Sequence, residues 1–126
     1  MKKNQMCDLF KPGTDLTVKA TEPITGKTFV AYASAMSGGN IAVKTATAGK
    51  PIAGVAKYDA PAKTLLGVAR GSARVITVTA AEKITAGDAI EVGAKGKAAK
   101  HTTGEVVGWA VDNVEADHDA SISLAY

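Results

Sequence analysis

Aromatic side chains are scarce in this chain of 126 residues, at 5% of the whole, with one tryptophan, Trp109, and one cysteine, Cys7. The apolar content of 46% therefore falls mostly to alanine and valine, and Trp109 is the single large anchor expected for the core. Hydrophobic stabilisation scales with buried apolar area, at roughly 25 cal/mol per Å², so small side chains gain less per residue. That shortfall points to an oligomer as a further source of burial. A lone cysteine excludes an intrachain disulfide and fits a reducing compartment or indifference to redox state. Residues 4–13 hold no apolar stretch behind Met1, Lys2 and Lys3, so neither an export signal nor lipidation of Cys7 is expected. A run of about 18 apolar residues is also missing, and with it any membrane-spanning helix.

Catalytic constellations are equally thin. The two histidines, His101 and His118, have no fitting partners. Asp117-His118-Asp119 has the composition of a metal cluster, but neighbours on a strand point to opposite faces, and a closed site needs three or four convergent ligands. It reads as a solvated polar turn. Cys7 lacks the neighbouring histidine or helix N-terminus that would lower its pKa. Gly93-Ala94-Lys95-Gly96-Lys97 has neither the spacing of a phosphate loop nor a following helix. No Gly-x-Ser-x-Gly elbow occurs. The net charge is +3, yet no aromatics interleave with Lys95, Lys97 and Lys100, so residues 95–100 read as a solvated loop rather than a nucleic-acid track.

What the sequence does have is alternation. Leu16, Val18 and Ala20 share one face of residues 14–20, and Ile122, Leu124 and Tyr126 share one face of the last stretch. Ile41 and Val43 flank Ala42. This is the pattern of half-buried strands. Residues 29–33, 52–56, 65–69 and 106–111 are continuous apolar runs, read as strands buried on both faces or covered by a partner. A further strand is expected at 74–79. Glycine- and asparagine-containing turns separate them, as in Ser37-Gly38-Gly39-Asn40. Helix is limited to a possible turn at Ala80-Ala81-Glu82-Lys83. Residues 1–13 form an expected flexible arm, and 14–126 a single β domain. Residues 23–59 and 83–113 echo one another: each has Ile-Thr, a glycine turn, an apolar strand, a second turn and glycine-flanked apolar pairs. The two halves are expected to share one barrel with internal twofold character.

Particular pieces resemble phage capsid cement, or head decoration, proteins. They are Ile84-Thr85-Ala86-Gly87-Asp88, Gly96-Lys97-Ala98, Val107-Gly108-Trp109-Ala110, the alternating stretch 120–126, and the earlier element at 51–59. The likeness runs over most of residues 14–126. The arm and the 31–47 hairpin region depart from the family pattern. The resemblance implies an all-β fold, either a small barrel or a β-clip or β-tulip-like sandwich, with two-repeat character and an extended N-terminal arm. It implies a homotrimer on the exterior of an icosahedral head, at threefold or quasi-threefold positions. There it would bind the major capsid protein and hold the shell against the pressure of packaged DNA. The protein would be made in the host cytoplasm and carried on the virion, without catalytic residues, cofactor, metal, direct nucleic-acid contact or membrane. Lys2, Lys3, Met6, Leu9 and Phe10 of the arm are the expected capsid contacts. Ile52, Val55, Val107 and Trp109 are the expected trimer interface. Two other classes remain open: a tail, fibre or surface-layer module, and a small β-clip ligand-binding domain or enzyme.

Overall fold

Alternating and apolar stretches become ten strands. They are β1 (Asp15–Ala20), β2 (Phe29–Ser37), β3 (Asn40–Thr45), β4 (Gly54–Ala56), β5 (Leu65–Ala69), β6 (Val75–Thr79), β7 (Ala89–Val92), β8 (Ala98–Lys100), β9 (Gly108–Ala110) and β10 (Asp119–Leu124). The structure, a computed structural model, describes residues 3–6 and 15–126. Among the described residues there is no α-helix, and the helical turn expected at 80–83 does not form; the one helical element is a single 3₁₀ turn at Ala94–Gly96. No helix among them is long and apolar enough to cross a membrane. The expected all-β class is what the chain adopts.

The strands form a closed barrel in the order β1-β3-β2-β4-β5 and a five-stranded sheet in the order β6-β10-β9-β7-β8. These are the same arrangement twice. Antiparallel β1–β5 is repeated as β6–β10. The pairs Phe29↔Val55 and Val30↔Gly54 return as Ala89↔Trp109 and Ile90↔Gly108. The parallel contact of β1 with β3 returns as the parallel bridge Ala80↔Ala98. Loops repeat as well. Ile24 bridges Ala60 as Ile84 bridges Val114. The Gly26 amide donates to Asp59 Oδ1 at 2.7 Å, and the Ala86 amide to Asn113 Oδ1 at 2.9 Å. The sequence echo is thus a structural repeat. It differs from the expectation in one respect: each half builds its own five-stranded unit, rather than half of one barrel. The echo also stops short, since β1, β5, β6 and β10 belong to the repeat but lie outside residues 23–59 and 83–113.

Two cores follow. Val18, Ala20, Ile24, Val30, Val43, Ala56, Leu66 and Val68 fill the first barrel. The second contains Val78, Ile84, Ile90, Val92, Val107, Ile122 and Leu124, and with them Phe29, Ala46, Ile52 and Val55 from the first half. Neighbouring side chains on a strand take opposite faces. Hence Val30 points into its own barrel while Phe29 crosses to the other unit, and both are fully buried. The large anchor of the core is therefore Phe29, not Trp109, which is 47% exposed. The expected strand at 52–56 narrows to Gly54–Ala56, and that at 106–111 to Gly108–Ala110.

Turn chemistry explains the hairpin between β2 and β3. Gly38 and Gly39 have φ of 59° and 82°, the two positive values that a tight two-residue hairpin requires. They join β2 to β3 with Ser37 opposite Asn40. Residues 95–100, expected to be a solvated loop, instead complete a hairpin: Ala98 to Lys100 pair with β7. Alanine has weak strand preference by itself, but Ala98 is wholly buried beneath the second core.

One glycine position is common to both units. A Cβ on Gly54 would lie 2.7 Å from the Ala69 carbonyl oxygen, and on Gly108 2.6 Å from that of Ser123. Gly108→Ala should therefore destabilise the protein by about 1–3 kcal/mol, the usual cost of overpacking, read as a lower midpoint in urea unfolding. Ala73→Gly should act in the opposite sense. Ala73 holds φ of 64°, a conformation that costs a residue with a Cβ roughly 1–2 kcal/mol. Part of the relief is offset by the extra freedom of an unfolded glycine, so the expected gain is below about 1 kcal/mol, seen as a higher urea midpoint.

Candidate functional site

The residues expected to touch partners divide sharply. Of the arm, Lys3 and Met6 are exposed, Met6 by 80%. Lys2, Leu9 and Phe10, together with Cys7, lie outside the described residues. Ile52, Val55 and Val107 are at most 3% exposed and sit in the second core, which corrects their expected place on a trimer interface. A side chain already covered by its own chain has no area left for another copy. Ile52 and Val55 of the first half are covered by the second unit, and Val107 lies inside that unit's own core. Trp109 alone of the four faces solvent.

The repeat shows what is unusual about Trp109. Its counterpart in the first unit is Val55, and the counterpart of Ala89 is Phe29. Val55 and Phe29 are covered by the second unit, whereas no described part of the chain covers Ala89 and Trp109 to that degree. The register runs Ala89↔Trp109↔Ser123↔Val75 across four strands. Val75 is 56% exposed and Val111, just beyond β9, 50%. The Val111 amide donates to the Ser121 carbonyl, and Ser121 lies opposite Thr77. The result is a sheet face with an apolar spine among small serine, threonine and alanine side chains, so Trp109 stands proud of it. Sequence periodicity missed this face. The small inward residues Gly108 and Ala110 carry the phase of β9, and they read as strand interior without showing which side is covered.

Several charged groups elsewhere hold loops and join the units. Asp15 accepts from Lys57 at 2.7 Å and from Arg74 at 2.8 Å. Lys27 of the first half reaches Asp119 of the second at 2.9 Å, and Lys97 reaches Asp117 at 3.0 Å. The cleft between the units, lined in part by Lys27, Lys57 and Arg74, therefore carries its balancing carboxylates at hand. His101 and His118 bond through Nε2 and Nδ1 to the carbonyls of Gly104 and Ala116 within their own turns. No group of three His, Cys, Asp or Glu placed to hold a metal ion occurs among the described residues. Asp117 and Asp119, adjacent to His118, each turn to a different lysine.

Three carboxylates are held below their ordinary pKa. The Lys57 hydrogen bond, followed by that of Arg74, lowers Asp15 from 3.8. The Thr102 amide, with that of Gly104, lowers Glu91 from 4.5 and staples the loop between β8 and β9. Lys97 lowers Asp117 from 3.8. Burial raises the Tyr126 phenol above 10.0. Each depressed carboxylate binds protons more weakly when folded, so its stabilisation is complete above the ordinary value and is lost as pH falls through the lower folded value. The phenol works in reverse, losing its contribution as pH rises beyond its ordinary value. Stability should show a plateau with an acid limb setting in near 4.5 and an alkaline limb near 10.0. Urea midpoints measured across pH should give that profile, and Glu91→Gln should flatten the upper part of the acid limb.

No protein family matches the sequence, and no curated protein does. Among solved structures, the fold is similar to that of the head fibre gp8.5 N base in bacteriophage phi29, with a TM-score of 0.75 at 20% sequence identity, over 88% of this chain and 92% of that one.

Proposed function

We propose that this chain is a capsid decoration protein of a tailed phage, a structural component without a catalytic role. It binds the major capsid protein on the outside of the head as a homotrimer at threefold or quasi-threefold positions and stabilises the shell against internal DNA pressure. The observation that carries this reading is the fold it shares with the base of a phage head fibre. The open Trp109 face supports the trimer. Inside the chain, the second unit covers Phe29 and Val55 of the first in a head-to-tail step. The same kind of step between chains would cover Ala89 and Trp109. Head-to-tail contacts that close make rings, whereas isologous contacts make dimers. Binding only to the assembled shell then stabilises it by mass action, by RT ln(1 + [L]/Kd) for each site. A second reading, the base of a head fibre rather than a free-standing cement, is favoured by the neighbour being such a base.

Mixed with expanded, undecorated heads of its own phage, the protein should sediment with them, and failure to do so would sink both readings. Electron microscopy of the decorated heads separates them: compact knobs for cement, projecting stalks for a fibre base. Light scattering should find Trp109→Ser less associated than the parent at equal concentration, with an unchanged circular dichroism spectrum. Deletion of residues 2–11 should weaken head binding by about tenfold or more, roughly 1.4 kcal/mol, measured by co-sedimentation. Equal binding would make the arm a passenger.

A further inference from the structure

At the seam between the two units lies an open notch of about 380 Å³ that none of the preceding roles uses. Tyr32 and Pro51, with Arg70, come from the first unit; Glu105 and Tyr126 come from the second. Tyr32 and Tyr126 are 55% and 45% exposed. Tyr126 is held in place, because its hydroxyl accepts the Ile52 amide at 3.1 Å and the neighbouring Ala125 amide donates to the Val107 carbonyl. Glu105 is positioned by its own amide, bonded to the Gly49 carbonyl at 3.0 Å. Arg70 is half-buried. Neither the Arg70 guanidinium nor the Glu105 carboxylate makes a side-chain hydrogen bond or ion pair among the described residues. Other acidic and basic groups of the seam, such as Lys27 with Asp119 and Lys57 and Arg74 with Asp15, do pair.

We propose that this notch binds a neutral glycan, one or two sugar rings at a time. Arginine offers only donors and an ionised glutamate only acceptors. A pair of vicinal sugar hydroxyls, each both donor and acceptor, satisfies both. The exposed tyrosine faces, that of Tyr126 held by its hydroxyl, supply flat apolar area for the C–H side of a pyranose, and aromatic rings are ordered at small entropic cost. A phosphate or nucleic acid would meet the Glu105 charge, and a polycation would meet Arg70. A volume of this size lies in the range of small-molecule sites. The ligand chemistry is the same for a free saccharide and for a glycan on a cell surface. The notch is separate from the Trp109 face, so the proposal does not rest on the head-binding role.

The test uses the full chain labelled with ¹⁵N, titrated with maltose, cellobiose, lactose and N,N′-diacetylchitobiose, and in a parallel sample with the peptide (Gly-Pro-Pro)₃. At least one disaccharide should shift amide resonances of Ile52, Arg70, Glu105 and Tyr126 with a dissociation constant on the order of 1 mM, since an open notch removes only one face of a ring from water. Arg70→Leu and Tyr32→Ala should each weaken that binding at least fivefold while leaving the remaining spectrum in place. No shift with any of the four sugars, shifts confined to other surfaces, or binding of the peptide alone would overturn the proposal. If a sugar binds, pull-down of host cell-wall polysaccharide by immobilised protein, and its loss in Arg70→Leu, assigns the glycan to the cell surface; its absence assigns it to free saccharide.

Discussion

Phe29 and Val55 are outer-face residues of one sheet that have become core residues of another. Everything else in the molecule follows from that insertion. Each five-stranded unit has an inward face lined with small aliphatic side chains and an outward face that would otherwise meet water. By sending a phenylalanine and a valine from the outer face of the first unit into the second, the chain makes two modest cores into one body. A ring of that size contributes more buried area than any other side chain in either core. The neighbouring Val30 holds the same strand to its own barrel, so a single pair of adjacent residues ties both cores together. The Lys27–Asp119 ion pair and the close contacts of the 49 and 104 loops lie along the same seam.

This arrangement is directional, and its directionality produces the exposed surfaces. The first unit is covered on its outer face by the second, whereas no described part of the chain covers the second unit's outer face to that degree. The two repeats therefore have different surroundings although their backbone pairing is the same. The chain has placed its only tryptophan at the uncovered counterpart of Val55. A burial driving force of this kind, left unsatisfied in one copy, is what an association surface needs, and large aromatic side chains dominate such contacts. The seam itself creates the second surface. Where two units meet, side chains from distant segments converge on a notch that neither unit has alone, which is why Tyr32 and Tyr126 can face the same ligand-sized space.

Several features were readable from the residues alone because their causes are local. The period-two alternation of β1 and β10 and the positive-φ demand met by Gly38 and Gly39 are set by near neighbours. The same holds for the Ile-Thr turn pattern that recurs at Ile24 and Ile84. The lysine-bearing stretch at 95–100 was misread because its strand character comes from β7 alongside it and from the pocket that takes Ala98, not from any preference of alanine. Of the candidate site, the sequence singled out Trp109 but could not separate it from Ile52, Val55 and Val107.

Those four residues mark the division between the two levels. Sequence determined that the chain is built of short strands and glycine turns, that it repeats, and that Val55 and Trp109 occupy like places in like motifs. Only tertiary structure decided that Val55 is buried and Trp109 half exposed, and that Arg70 and Glu105, which make no side-chain pair among the described residues, stand beside two tyrosines. A strand's pattern defines two faces, but covering one of them is a long-range event. It depends on which unit docks against it, and the docking of one repeat on the other uses the outer face only once.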